Sequence, residues 1–316
     1  MRKVLVTGGA GFIGTSLVGR LLELGDEVYS ADNFVIGERR HAEMYQNNPN
    51  YHFVEIDIDD TEKFCERFKS EEFDVIYHLA ANSDIKKGGQ NPQVDYRDTF
   101  STTRSVLELM RRNGIKNLFF ASTSAIYGDV NGERATEDLG GLRPISYYGG
   151  AKYACENFIS AYAFMNDLNV MVFRFPNVIG PYLTHGVIFD FVEKLNKNPR
   201  SLEILGDGHQ TKPYIYVDDL VDVIIKMTDK IEPGMEIYNI GVENATSVTK
   251  IADILCEVMH LKDVVYNYTG GSVGWKGDVP KFQYNLKKIH DVGWRAKYDS
   301  DDAVRMTCEW VKENLK

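Results

Sequence analysis

Cysteine is scarce in this chain: four among 316 residues, at Cys65, Cys155, Cys256 and Cys308. They stand too far apart for a CxxC metal or redox site, and buried, reduced thiols are expected. Basic charge is in deficit, with 36 Lys and Arg against 46 Asp and Glu and a net charge of −10. Such a field repels nucleic-acid phosphates and anionic lipid, although a single basic cleft for a small phosphorylated ligand stays compatible with it. Long hydrophobic runs are missing too: none approaches the roughly 20 residues of a membrane span. Met1-Arg2-Lys3 leads straight into a core-like strand, without a secretory apolar region. The expected location is the cytoplasm, with neither nucleic acid nor membrane as partner. No His, Cys or carboxylate set has metal-ligand spacing on one element, so no metal is expected. What is present is an ordinary globular composition, 43% hydrophobic and 26% charged, with length for a sizeable core and one large or two medium domains.

Short apolar runs alternate with longer amphipathic ones in the first half. Val4 to Val6, Glu27 to Ala31, Phe53 to Ile56, Val75 to Leu79, Leu118 to Ala121 and Val170 to Phe173 read as strands, most of them apolar on both faces. Helical stretches lie between them: Phe12 to Leu24, ending at Gly25; Asp60 to Lys69; and a stripe of Phe100, Val106, Leu107 and Met110 that stops near Gly114. This βαβ series predicts an α/β fold with a doubly wound parallel sheet, whose ligand crevice lies beyond the carboxyl ends of the strands. After about Phe175, Pro176, Gly180 and Pro181 loosen the pattern. A first domain over 1–175 and a smaller mixed α/β domain over 176–316 are expected, with a segment near 212–240 free to return to the first.

Directly after the first strand, Gly8, Gly11 and Gly14 punctuate Thr7-Gly8-Gly9-Ala10-Gly11-Phe12-Ile13-Gly14. That spacing permits a tight turn, close approach of backbone to a pyrophosphate, and tight packing of the new helix. The second strand then ends at Asp32, which suits both hydroxyls of an adenosine ribose and repels a 2′-phosphate, favouring NAD over NADP. Asp57 can serve either an adenine amino group or a helix N-cap. Arg39 and Arg40 read as solvated.

The fifth strand ends in Ser122-Thr123-Ser124-Ala125, and Tyr148 and Lys152 follow one helical turn apart, on one helix face. Oxidising a secondary alcohol needs a base, and a tyrosine of ordinary pKa is mostly protonated at neutral pH. Lowering it to ~7 takes about 4 kcal/mol, for which the charge of Lys152 is well placed. Tyr127 reads as a packed aromatic before a second base, and His78 and His185 as structural before ligating.

With these motifs, and with His78-Leu79-Ala80-Ala81, Arg174-Phe175-Pro176-Asn177-Val178, Tyr214-Ile215-Tyr216-Val217-Asp218-Asp219 and Gly277-Asp278-Val279-Pro280, the chain resembles the extended short-chain dehydrogenase/reductases. Within them it is most similar to the nucleotide-sugar epimerases and dehydratases, closest to the UDP-glucose (UDP-galactose) 4-epimerase branch. The resemblance implies a Rossmann fold and a catalytic set of Thr123, Tyr148 and Lys152. It implies NAD held by Gly8, Gly11, Phe12, Ile13, Asp32, Asn33, Asp57, Ile58, Leu79, Ala80, Ala81, Tyr148, Lys152 and Phe175, with Lys152 on the nicotinamide ribose. For a nucleotide-sugar substrate, a UDP-hexose, it implies contacts from Ser124, Asn177, Val187, Lys212 and Asp278. It also implies a homodimer in which the helix of Tyr148 pairs with the one around Phe100 to Met110, each read as carrying an apolar stripe beyond what one sheet face needs.

Related dehydratases carry an Asp-Glu pair immediately after the threonine, and related decarboxylases a glutamate at the second of these positions. Here Ser124 and Ala125 occupy them. A 4-epimerase, which needs only a hydride and one proton exchange, is therefore favoured over a dehydratase or decarboxylase, and a non-catalytic dinucleotide sensor is disfavoured by Tyr148 and Lys152. Lys212 and Trp275-Lys276 stand where the epimerases commonly carry arginines, and lysine lacks the bidentate fork that fits phosphate.

Overall fold

A computed structural model describes residues 1–130, 132–271, 279 and 281–314. Six strands, β1 (Lys3–Thr7), β2 (Glu27–Asp32), β3 (Tyr51–Glu55), β4 (Val75–His78), β5 (Asn117–Thr123) and β6 (Asn169–Phe175), join a seventh, Gly234–Asn239, in one sheet. Its order is Gly234–Asn239, β6, β5, β4, β1, β2, β3. β1 pairs in parallel with β2 and β4, and parallel pairing continues from β2 to β3 and from β4 to β5. The chain winds outward from β1 to β3, then crosses back to β4 on the other side. A crevice therefore opens at the carboxyl ends of β1 and β4, where the winding reverses.

Helices cover both faces, which is why β1 and β4 are apolar almost throughout: Val4, Leu5, Val6, Ile76 and Tyr77 are fully buried. Helix Phe12–Glu23 buries Leu17, Val18 and Leu21, and Gly25 takes up a left-handed turn beyond its end. Helix Thr102–Asn113 stops at Gly114, again left-handed at φ 71°. It is entered through a π-helical turn, Tyr96–Ser101, for which the sequence carries no sign. Helix Thr61–Phe68 is capped by Asp60, whose carboxylate accepts the Lys63 amide. Asp57 is thus not the cap, one of the two roles open to it from sequence; its carboxylate instead accepts the Asp59 amide.

The chain divides into two compact units: residues 1–128, 141–174 and 221–238 in the first, and 129–140, 175–220 and 239–316 in the second. Residues 129–140, which the sequence reading placed with the first domain, group with the second unit. Ala135 forms a parallel bridge with Tyr284, and its carbonyl accepts from Asn239 Nδ2 at 3.0 Å. No local pattern in the sequence could have signalled these long-range partners. The apolar stripe of helix Thr102–Asn113 also differs from expectation. Val106, Leu107, Leu109 and Met110 are all fully buried within the first unit, so this helix has no apolar surface to spare.

Candidate functional site

The glycine turn joins β1 to helix Phe12–Glu23 at the switch point. Gly8 sits at φ 72°, and a Cβ there would lie 2.8 Å from the Ala80 amide nitrogen, so only glycine lets β1 pass the backbone that leaves β4. A Cβ at Gly14 would fall on the Gly8 carbonyl oxygen, 2.7 Å from Gly9 Cα. Gly11 is the N-cap and has no side chain to satisfy the first helical amides. The result is a bare, positively polarised helix end, which suits a pyrophosphate. Phe12 and Ile13 begin the helix, partly exposed, and the Leu79 amide donates to the Thr7 carbonyl at 3.1 Å. Gly8, Gly11, Phe12, Ile13, Leu79 and Ala80 thereby gather at the ends of β1 and β4, with Ala81 following in the chain.

Asp32 ends β2, buried. Its carboxylate accepts the amides of Ala10 at 3.0 Å and Phe34 at 2.9 Å, which leaves lone pairs for ribose hydroxyls. Burial raises its pKa, while the Phe34, Ala10 and Asn33 amides pull it back. Asn33 Nδ2 reaches Asp57 Oδ1 at 3.4 Å, so Asn33, exposed Asp57 and buried Ile58 lie beside Asp32 at the ends of β2 and β3. Arg39, solvated in the sequence reading, is exposed but engaged: it forks onto Glu55 and stacks 4.3 Å from the centre of the Phe34 ring.

Thr123 ends β5. Ser146 caps helix Tyr147–Asn166 by accepting the Gly149 amide, and that start point sets Tyr148 and Lys152 against the strand end. The Thr123 side chain neighbours the Tyr148 hydroxyl. Burial pushes the Tyr148 phenol up, with Thr123 pulling against it; this is the reverse of the lowering by Lys152 expected from the sequence, and Lys152 is not among the groups that shift it here. Lys152 is 2% exposed and donates from Nζ to the Ala121 carbonyl at 2.6 Å. Burial pushes it down to about 8, opposed by Cys155 and Glu156. A tyrosine, a threonine and a buried lysine so arranged can pass a proton to or from one hydroxyl group. Ser124 opens the short turn that follows, partly exposed, and Phe175 is the buried last residue of β6.

His78 is structural, as read from sequence: fully buried, it bonds Thr7 at 2.7 Å and Thr103 at 2.9 Å. Burial, then the Lys152 charge, pushes it down to about 3. Between about 6.5 and 3 the unfolded chain binds a proton that the native imidazole refuses. Stability therefore falls as pH drops below 6.5, by about 1.4 kcal/mol per pH unit. Urea midpoints measured from pH 7 to 4.5 are expected to show this slope, and His78→Gln to lose it.

Several residues escaped the sequence reading. Asp95, 1% exposed, takes a hydrogen bond from Asn82 at 2.8 Å and faces Tyr148 electrostatically. Glu156, one helical turn beyond Lys152, forms a buried ion pair with Arg174, which the sequence offered only as part of a family motif. Glu156 was findable: it stands one further turn along the face shared by Tyr148 and Lys152.

The remaining substrate candidates belong to the second unit. Asn177 opens strand Asn177–Ile179 opposite Tyr214, Val187 begins helix Val187–Lys197, and Lys212 pairs with Thr246 across two short strands. Asp278 lies outside the described residues, as do Trp275 and Lys276. Among the described residues no group of three or more His, Cys, Asp or Glu is placed to hold a metal ion, and no helix is long and apolar enough to cross a membrane.

Comparison with known proteins meets this geometry. Residues 4–241 match the NAD dependent epimerase/dehydratase family. A putative UDP-glucose 4-epimerase of Methanocaldococcus jannaschii is 31% identical, over 98% of this chain and 99% of its own. The human dTDP-D-glucose 4,6-dehydratase is 27% identical, over 99% and 91%. A crystal structure of a UDP-galactose 4-epimerase superposes with a TM-score of 0.87 at 34% identity, covering 99% of this chain and all of that one. On these matches the chain belongs to the NAD-dependent epimerase/dehydratase family, among the extended short-chain dehydrogenase/reductases.

Proposed function

We propose that the protein interconverts C4 epimers of a nucleotide-linked hexose, of the UDP-glucose/UDP-galactose type. The carrying observation is that Thr123, Tyr148 and Lys152 stand together, while Ser124 and Ala125 occupy the positions where dehydratases place their additional acid and base. Gly8, Gly11, Phe12 and Ile13 would hold the pyrophosphate of NAD, Asp32 and Asn33 the adenosine ribose, Asp57 and Ile58 the adenine. Leu79, Ala80, Ala81 and Phe175 would line the remainder. Bound NAD supplies the hydride acceptor and donor for the sugar's C4. Tyr148 takes the proton of the C4 hydroxyl at its phenolic oxygen and gives it back. Thr123, beside Tyr148, positions that hydroxyl. Lys152, held cationic, favours the phenolate and grips the nicotinamide ribose. Among residues of the second unit, Lys212 would offer a point charge to the substrate diphosphate, with Asn177 and Val187 as further substrate candidates; Ser124 is the candidate of the first unit.

The test is a panel of UDP-, dTDP-, CDP- and GDP-sugars incubated with the purified protein and resolved by NMR and mass. An isomer of unchanged mass supports the reading; loss of water or of carbon dioxide replaces it with a dehydratase or decarboxylase.

We also infer a homodimer built on the outer face of helix Tyr147–Asn166. Phe158 is 47% and Met165, two turns on along the same face, 76% exposed, and Phe158 meets Phe100 edge-on at 5.0 Å, with Tyr96 beyond it. Such an apolar cluster on one surface marks an interaction site. Light scattering at micromolar concentration is expected to give twice the mass of the chain, and Phe158→Asp to give the single chain with its fold intact.

A further inference from the structure

A buried polar cluster that this chemistry leaves unused lies one turn beyond Lys152. Tyr148, Lys152 and Glu156 recur every four residues along one helix and share a face. Glu156 is 3% exposed and Arg174, near the end of β6, 4%. Arg174 grips the carboxylate with two prongs, Nε to Oε1 at 3.1 Å and Nη2 to Oε2 at 2.7 Å. Its Nη1 donates to the Tyr127 hydroxyl at 2.9 Å, which makes Tyr127 part of the clamp. Ser122, next to Thr123, donates its hydroxyl to Glu156 Oε1. An ion pair this deep is a weak source of stability, since desolvation consumes most of its Coulomb gain. Its position gives it another use.

We propose that Glu156 and Arg174 are positioning residues for Lys152: Glu156 is the counter-charge that keeps the lysine cationic, and Arg174 the clamp that fixes this carboxylate and limits its pull. The proposal rests on the role given to Lys152 above. The ammonium group is faced by the Ala121 carbonyl and the Phe120 ring from β5, by His78 from β4, and by Cys155 and Glu156 from its own helix. Tyr148 stands one turn before it. His78, pushed down to about 3, and Cys155, pushed up to about 11, are both neutral near pH 7. Glu156, locked to a guanidinium, is the anion among them.

The titration of Lys152 reads this without substrate, by NMR of protein labelled at the lysine Cε carbons, with Lys152→Arg identifying the signal. Glu156→Gln is expected to lower the midpoint by about one pH unit, the scale of one charge across a helix turn in protein. Arg174→Gln is expected to raise it, and Glu156→Asp to restore it to near wild type. Mere structural damage would not move the first two in opposite directions. Should a single variant fail to fold, the doubly neutral Glu156→Gln, Arg174→Gln protein, with no unpaired buried charge, is expected to titrate below wild type. Where only Arg174→Gln fails, the double variant must also titrate above Glu156→Gln. Shifts of the same sign, or no shift, overturn the proposal. In an active enzyme the alkaline limb of kcat/KM moves with the NMR midpoint. Opposite shifts in a protein that turns over no nucleotide sugar keep this inference and overturn the epimerase reading alone.

Discussion

Tyr148→Phe is expected to lower kcat by roughly 10²- to 10⁴-fold, the usual contribution of general acid-base catalysis, while NAD stays bound. The phenylalanine ring fills the same space and leaves Lys152 with its bond to the Ala121 carbonyl, so only the proton-carrying oxygen is lost. KM should change little, because one hydroxyl contact is small beside a whole nucleotide sugar. Thr123→Val should be milder, since threonine only positions the hydroxyl. Lys152→Ala should damage both turnover and cofactor retention, having lost a charge and a ribose contact. Initial rates on the sugar found in the panel, with ligand released by denaturation and identified by chromatography, separate the three. Full activity in Tyr148→Phe sinks the base assignment.

Two glycine replacements should separate a turn that merely folds from one that binds. In Gly14→Ala the new methyl meets the backbone of Gly8 and Gly9, and no flexible side chain is there to yield. The turn must open, and NAD affinity is expected to fall at least about 100-fold, roughly 2.7 kcal/mol, together with stability. In Gly11→Ala the nearest atom to the methyl is the Gly8 carbonyl oxygen at 3.2 Å, a contact relieved by a few tenths of an ångström, and the backbone φ of −77° suits any residue. The fold should survive while the methyl occupies the space a pyrophosphate needs. Urea midpoints and NAD titrations measured side by side check this. If Gly11→Ala binds NAD as wild type does, the turn is not the pyrophosphate site.

The legible parts of this protein are those set by local pattern. Strands buried on both faces read as unbroken apolar runs, so β1, β4 and β5 were visible within a residue or two. The glycine turn and the Tyr148–Lys152 spacing are likewise local, and family resemblance supplied their partner Thr123. What stayed hidden depends on residues far apart in sequence. Residues 129–140 look like an ordinary loop until Tyr284 and Asn239 are placed beside Ala135. The stripe of helix Thr102–Asn113 looked like surplus because sequence cannot count how many apolar neighbours will close over it. Asp60 and Asp57 both precede the same helix, and only the backbone conformation decides that Asp60 caps it.

The seventh strand, Gly234–Asn239, has a consequence for anyone who would cut and rejoin this chain. It lies at one edge of the sheet beside β6, and Tyr238 packs edge-on against Phe173 of β6. Yet residues 175–220 of the second unit must be synthesised before it emerges from the ribosome. Until then β6 is the bare margin of an apolar sheet, of the kind that recruits foreign strands. A fragment ending at 174 keeps that margin permanently. Chimeras that exchange second units between relatives at a single crossover would combine a sheet from one parent with a closing strand from the other. To stay with one parent, the sheet needs both 141–174 and 221–238 carried over, so a working exchange requires several junctions.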